Sequence, residues 1–249
     1  MHDRFTLEWN AQRLAVLDRD IDVIIATHVK DRKVAAWFTD TAKAFEEIDE
    51  IDLAIDWAEQ AAHFDRGYQA QRAAEYWCRL LAEHRPTEVL VARMTVFRRW
   101  PSSSTTAQLH QTAGAAWADV RDEVMVTLAA SPSDAVLFTL LTLGDVQFAW
   151  ELAQSLHLGD SHVWNELIKQ YEKIDPLAVL PVHQELVEGD LVEANAKRYR
   201  SAAVRLAKMR RLAAGSVEAE TVDELITDLR EAHRRRPRLQ QEFDRAKLP

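Results

Sequence analysis

The densest chemistry in this sequence is cationic. Between Ala196 and Leu212 the bases Lys197, Arg198, Arg200, Arg205, Lys208, Arg210 and Arg211 meet no acid. Lys197, Arg200, Lys208 and Arg211 fall near multiples of a helical turn, so one helix face can carry all four. A face of that kind meets phosphates, as electrostatic binders of nucleic acid do. The plainer reading is a solvated helix surface whose cationic end is favoured by the macrodipole. A second basic knot, Arg234, Arg235, Arg236 and Arg238, lies near the end of the chain.

No other group of residues forms a reactive constellation. Cys78, the one cysteine, sits in the apolar context Trp77-Cys78-Arg79-Leu80. A nucleophilic thiol needs a base and a lowered pKa, and no partner is in sight, so Cys78 reads as a buried structural residue. The nine histidines are scattered. His157 and His162 straddle a glycine turn and His183 precedes Glu185, but no metal-ligand spacing results. The acids Glu46, Glu47, Asp49, Glu50 and Asp52 lack the glycine and spaced oxygens of a calcium loop, and read as a solvated helix end beside the next helix's N-terminus. Ser102 to Thr106 offers hydroxyls without a nucleophile elbow or a phosphate loop, and reads as a loop capping a helix after Thr105 or Thr106. The expectation is a protein with no catalytic residues, no metal and no cofactor.

Composition sets the frame around these residues. At 249 residues, with 47% hydrophobic side chains, the chain can bury a large core. Its six glycines and seven prolines are too few for a turn-rich all-β protein. The formal net charge of −9 weighs against wholesale binding to nucleic acid or an anionic membrane. A single cysteine fits a reducing, cytoplasmic setting. Met1 to Asn10 contains no apolar core of a signal peptide, and the apolar run Ala135 to Leu143 is short of the roughly 20 residues that span a bilayer.

The elements that position these residues are helices. The punctuation Gly67, Pro86, Pro101, Gly114, Pro132, Gly144, Gly159, Pro176, Gly189, Gly215 and Pro237 falls mostly 12 to 19 positions apart, a helix plus its link. Pro181 predicts a kink or a first-turn position. Between the marks, Ala54, Trp57, Ala58, Ala61 and Ala62 repeat at three and four, as do Ala73, Tyr76, Trp77, Leu80 and Leu81. Phe148, Leu152 and Leu156 predict another stripe, and Asp160 with Ser161 predicts a cap. No segment alternates with period two. Helices this short bury their stripes only by pairing. The expected fold is all-α, with roughly ten to thirteen helices in antiparallel pairs, stacked as a degenerate tetratricopeptide-like helical-repeat array. One continuous domain over 1–249 is expected, with a sub-boundary near 100–104. The eight tryptophans read as one large core anchor per helix or helix pair, one or two of them free to line a groove.

The second half resembles a known family. Phe148-Ala149-Trp150-Glu151-Leu152-Ala153, Val163-Trp164 with Leu167, and Glu172-Lys173-Ile174-Asp175-Pro176 with Leu180-Pro181-Val182 carry the likeness. So do Tyr199, Ala202, Ala203, Val204, Leu206 and Leu212, and the closing Leu229 to Leu248. Together they resemble the C-terminal helical region of bacterial SWIM zinc-finger family proteins, over about residues 50 to 248. The resemblance implies a helical-repeat fold among proteins of DNA transactions or protein assembly. The family's zinc module needs a Cys-x-Cys pair followed by Cys-x-His. This sequence has only Cys78, so the metal function is not carried over. The chain is then a stand-alone relative or a piece of a longer protein.

The function expected from these readings is a non-enzymatic scaffold that binds a protein or peptide partner along a helical array, with no membrane partner. The alternative is an accessory nucleic-acid factor that uses the basic C-terminal helices.

Overall fold

The computed structural model describes residues 2–29 and 33–249, with side chains from Thr6 onward. Among the described residues the chain is all-helical, with no strand. No described helix is long and apolar enough to cross a membrane. The chain divides into two compact units, Met1–Ser131 and Pro132–Pro249.

The first unit runs through α1 (His2–Leu17), α2 (Ile21–His28), α3 (Ala35–Glu47), α4 (Ile51–His63), α5 (Tyr68–His84), α6 (Val89–Arg99), α7 (Ser103–Ala113) and α8 (Trp117–Leu128). The alanine stripe of α4 sets its centre. Ala54, Trp57, Ala58, Ala61 and Ala62 are all buried between α3 and α5. Small side chains let the backbones approach, and Phe45, Trp57 and Trp77 fill the space between them. The link at 100–104 lies inside this unit and is tied down. Trp100 Nε1 donates to the Arg66 carbonyl at 3.0 Å, and Arg99 Nε donates to that of Asp65 at 3.1 Å.

The second unit holds α9 (Pro132–Phe138), which passes into a π-turn (Thr139–Leu143), then α10 (Val146–Ser155), α11 (Ser161–Tyr171), α12 (Leu180–Val192), α13 (Ala196–Ala213), α14 (Glu218–Ala232) and α15 (Pro237–Arg245). Pro181 occupies the first turn of α12, where a missing N–H costs nothing. Two apolar clusters stabilise the unit. Trp150, Trp164 and Tyr171 centre one. Tyr199, Leu206, Ile226, Leu239 and Phe243 centre the other.

Three local expectations shift. In α10 the buried stripe is Ala149, Trp150 and Ala153, while Phe148, Leu152 and Leu156 flank it half-buried. The two alanines permit the close approach, so the face turns by about one position. Near Pro101 the cap is Ser102 rather than a later hydroxyl. Its Oγ accepts from the Thr105 backbone N–H and Thr105 Oγ1 accepts from that of Ser102, so α7 starts at Ser103. Four of the eight tryptophans, Trp57, Trp77, Trp150 and Trp164, are buried, and Trp9 is 60% exposed.

Candidate functional site

Asn195 starts α13. Its Oδ1 accepts from the backbone N–H groups of Lys197 at 2.9 Å and Arg198 at 3.3 Å, fixing the helix's first turn. Tyr199, Ala202, Ala203, Leu206, Met209 and Ala213 form the buried stripe. The edge beside that stripe carries Lys197, Arg200, Ser201, Val204, Arg205 and Lys208. With Asn165, Glu166 and Lys169 of α11 and His183 of α12 they line a hollow of about 690 Å³. A second hollow of about 700 Å³ shares His162, Asn165, Lys197, Ser201 and Arg205 with the first, so the two form one trough. Its far end is of mixed character, lined by Leu158, Trp164, Leu186, Glu185 and Asp190.

Three of the four residues of the expected basic face therefore come together here: Lys197, Arg200 and Lys208. Arg211 does not join them and lines a separate hollow with Arg210 and Asp223. The bases that meet no acid along the sequence meet several in space. Lys208 Nζ lies 2.5 Å from Glu172, Arg210 Nε 2.6 Å from Asp223 and Arg198 Nη1 3.3 Å from Glu193. Among the described residues Lys197, Arg200 and Arg211 make no ion pair. The terminal knot is largely structural. Arg236 Nη1 donates to the Leu191 carbonyl at 2.7 Å and lies over the Tyr199 ring, while Arg234 pairs with Glu231 and Arg238 with Glu242.

The trough's floor holds an unusual polar cluster. Arg205 Nη1 lies 3.0 Å from His183 Nδ1, and Nη2 donates to Asn165 Oδ1 at 2.9 Å. A guanidinium only donates, so Nδ1 of His183 must accept, and the neutral ring's hydrogen sits on Nε2. His183 Nε2 and Arg205 Nε are both buried and have no hydrogen-bond partner. His183 is 2% exposed. Burial, with Arg205 and Lys208 nearby, pulls its pKa down to about 3, so the ring is uncharged at neutral pH. Burial also lowers the pKa of Arg205, and Asp190 partly offsets this. Among the described residues no carboxylate lies within ion-pair distance of Arg205. The periodicity of α13 alone did not single out Arg205 or His183. The one sequence signal was a base, Arg205, next to the apolar stripe position Leu206.

The other candidates resolve into structure. Glu46 accepts from Tyr76 Oη at 2.6 Å and from Arg79 at 2.8 Å, Glu47 pairs with Arg13 at 2.7 Å, and Asp52 pairs with Arg85. Acids of the run thus meet Arg13 of α1, Arg79 of α5 and Arg85 just beyond α5. Among the described residues no group of three or more His, Cys, Asp or Glu side chains could hold a metal ion. Cys78 is fully buried, and burial pushes its thiol up to about 11, with Arg93 opposing and Glu75 adding to the rise. At pH 8 only about one molecule in a thousand then carries the thiolate. The folded chain is expected to resist a thiol-specific disulfide reagent and to react stoichiometrically in denaturant. Rapid labelling of the native chain would contradict this.

Compared with protein-family models and with curated proteins, the sequence matches none.

Proposed function

We propose that the chain is a non-enzymatic, cytoplasmic interaction scaffold, its helix pairs forming degenerate tetratricopeptide-like repeats, that binds an acidic segment of a protein partner in the trough between α11, α12 and α13. The supporting observation is a local reversal of charge. In a chain of net charge −9, one hollow collects Lys169, Lys197, Arg200, Arg205 and Lys208. Glu166 and Glu172 pair with Lys169 and Lys208, which leaves Lys197, Arg200 and Arg205 outside any ion pair among the described residues, with Glu185 and Asp190 at the trough's far end. Such a patch steers an anionic partner to one place on an otherwise repelling surface. The mixed, partly apolar far end suits an extended segment rather than a lone ion.

The nucleic-acid reading draws on the same bases but fits less well. A phosphate backbone needs a long track of available cations. Here Lys208, Arg210, Arg234 and Arg238 are engaged by acids, and Arg236 by a carbonyl and a ring.

The test is fluorescence anisotropy with a labelled peptide of alternating Glu and Leu, beside a single-stranded oligonucleotide of equal charge. The peptide is expected to bind more tightly at about 0.15 M salt. The exposed pair Lys197→Ala/Arg200→Ala is expected to weaken it about tenfold or more, consistent with two charge-assisted contacts. Preference for the oligonucleotide, or an unchanged affinity in the double variant, overturns the proposal.

A further inference from the structure

The trough's floor makes a narrower demand than an acidic partner in general. Arg205 is a partly buried cation whose two hydrogen-bonded neighbours, His183 and Asn165, are neutral. A guanidinium removed from water without a counter-charge is costly, and a carboxylate is the ordinary remedy. Among the described residues none lies within ion-pair distance of Arg205, and Asp190, at the trough's mixed end, offsets its charge only in part. Glu166 is engaged with Lys169 at 2.6 Å and Glu172 with Lys208 at 2.5 Å. Two N–H donors at the same floor, His183 Nε2 and Arg205 Nε, have nothing to give to. Above them the rim adds Lys197 and Arg200, both unpaired, and the hydroxyl of Ser201.

Every unsatisfied group in this set is a donor or a cation, and the set rises from α12 at the floor to α13 at the rim. A ligand that fits must bring several acceptors and more than one negative charge. A carboxylate brings two oxygens and one charge. A phosphate monoester brings three free oxygens and close to two charges at neutral pH. Arginine's planar fork is suited to it, while lysine adds a point charge.

We infer that the floor and rim formed by Arg205, His183, Lys197, Arg200 and Ser201 are a subsite for a phosphate monoester, carried on a side chain of the partner segment or on a small free molecule. This rests on the trough being the binding surface and names the chemistry recognised there. The phosphoryl group sits at the basic end, and the chain or group that bears it runs toward the mixed end lined by Leu158 and Trp164.

The first probe is inorganic phosphate, titrated into the isotope-labelled full chain at fixed ionic strength, with chloride and acetate as controls. The readouts are the Arg205 Nε–H cross-peak and the His183 ring signals. Saturable shifts with phosphate alone are expected. Because both residues are exposed, Lys197→Ala/Arg200→Ala tests the rim without disturbing the fold, and it is expected to weaken the phosphate titration about tenfold. Equal shifts with acetate and phosphate, no saturation, or no change in the double variant overturn the subsite. A second arm fixes the source by comparing a phosphoserine peptide, its glutamate counterpart and phenyl phosphate. A phosphopeptide at least tenfold tighter than both supports a modified protein partner, and phenyl phosphate as tight as the peptide supports a small phosphorylated ligand. Should the acidic peptide bind while phosphate leaves Arg205 unmoved, the partner reading survives and the subsite falls. Should phosphate saturate the site while no peptide binds, the reverse holds.

Discussion

Trp150→Ala is expected to destabilise the protein by about 3–5 kcal/mol, the range for removing a large aromatic from a packed core. That is a large share of the roughly 5–15 kcal/mol by which a domain is usually stable. Trp150 stacks on Tyr171 with centroids 4.1 Å apart and planes 5° from parallel, and meets the edge of Trp164 at 5.4 Å. Alanine at this position leaves both rings facing a void that the neighbouring Ala149 and Ala153 are too small to fill. Trp164 is itself fixed by its Nε1 donating to the Leu158 carbonyl at 2.7 Å, so it cannot simply swing inward. The control is Trp9→Ala. That ring is 60% exposed, and its removal is expected to change stability by less than about 0.5 kcal/mol. Urea unfolding followed by far-ultraviolet circular dichroism measures both. Equal midpoints for the two variants would mean that the Trp150 cluster is not the anchor of its core. A Trp150→Phe/Tyr171→Leu cycle should also show a coupling of about 1 kcal/mol, the surplus that ring geometry adds to burial.

The helical class is legible in the sequence because period and burial agree at particular residues. Ala54, Trp57, Ala58, Ala61 and Ala62 are expected to share a face, and all are buried in α4. Helix ends are harder to read, for a conformational reason. Asp49, His157 and Lys247 take the left-handed conformation at helix ends with φ of 64°, 53° and 55°, and Arg19 does so at 54°. Glycine is the usual residue there, so punctuation by glycine passes over the breaks at Arg19 and Asp49 and merges helices that are in fact separate, whereas the link holding His157 is marked by Gly159. Gly189 errs in the other direction. It lies within α12, and the helix continues past it to Val192.

The candidate site shows the same division. Lys197, Arg200 and Lys208 are linked by spacing on one helix, which the sequence displays directly, and they do line one hollow. Arg211 satisfies the same spacing but lies where α13 turns toward α14, facing Asp223 and the chain's last residues instead. Spacing along a helix says which side chains share a stripe, and only the neighbours decide what that stripe meets. The floor depends wholly on neighbours. Arg205 becomes distinctive because Asn165 arrives from α11 and His183 from α12, at separations of 40 and 22 residues. No local pattern encodes that meeting.

His183 supplies the second large effect, in the dependence of stability on pH. In the folded chain its ring stays neutral down to about pH 3, whereas an unfolded histidine protonates near its ordinary 6.5. Between those values the unfolded chain binds one proton more than the folded one. Stability is therefore full above pH 6.5 and declines as pH falls, by about 1.4 kcal/mol per unit. Between pH 6.5 and pH 5 the loss from this one ring is about 2 kcal/mol. The neighbouring charges of Arg205 and Lys208 add to burial in opposing protonation of the ring. Other groups need separating out. Burial also lowers the pKa of His233, which acts in the same direction, whereas Glu46, Glu47 and Glu123 are held below their ordinary 4.5 and contribute only at lower pH. His183→Asn removes the titrating ring while keeping an amide oxygen to accept from Arg205 Nη1. Its smaller volume is expected to lower stability at pH 7 by about 1–2 kcal/mol. Its pH slope should be flatter than the wild-type slope, so the two stabilities converge near pH 5. Urea unfolding at pH 7, 6.5, 5.5 and 5 compares the slopes directly, and parallel lines would mean that the ring is free to protonate in the folded chain.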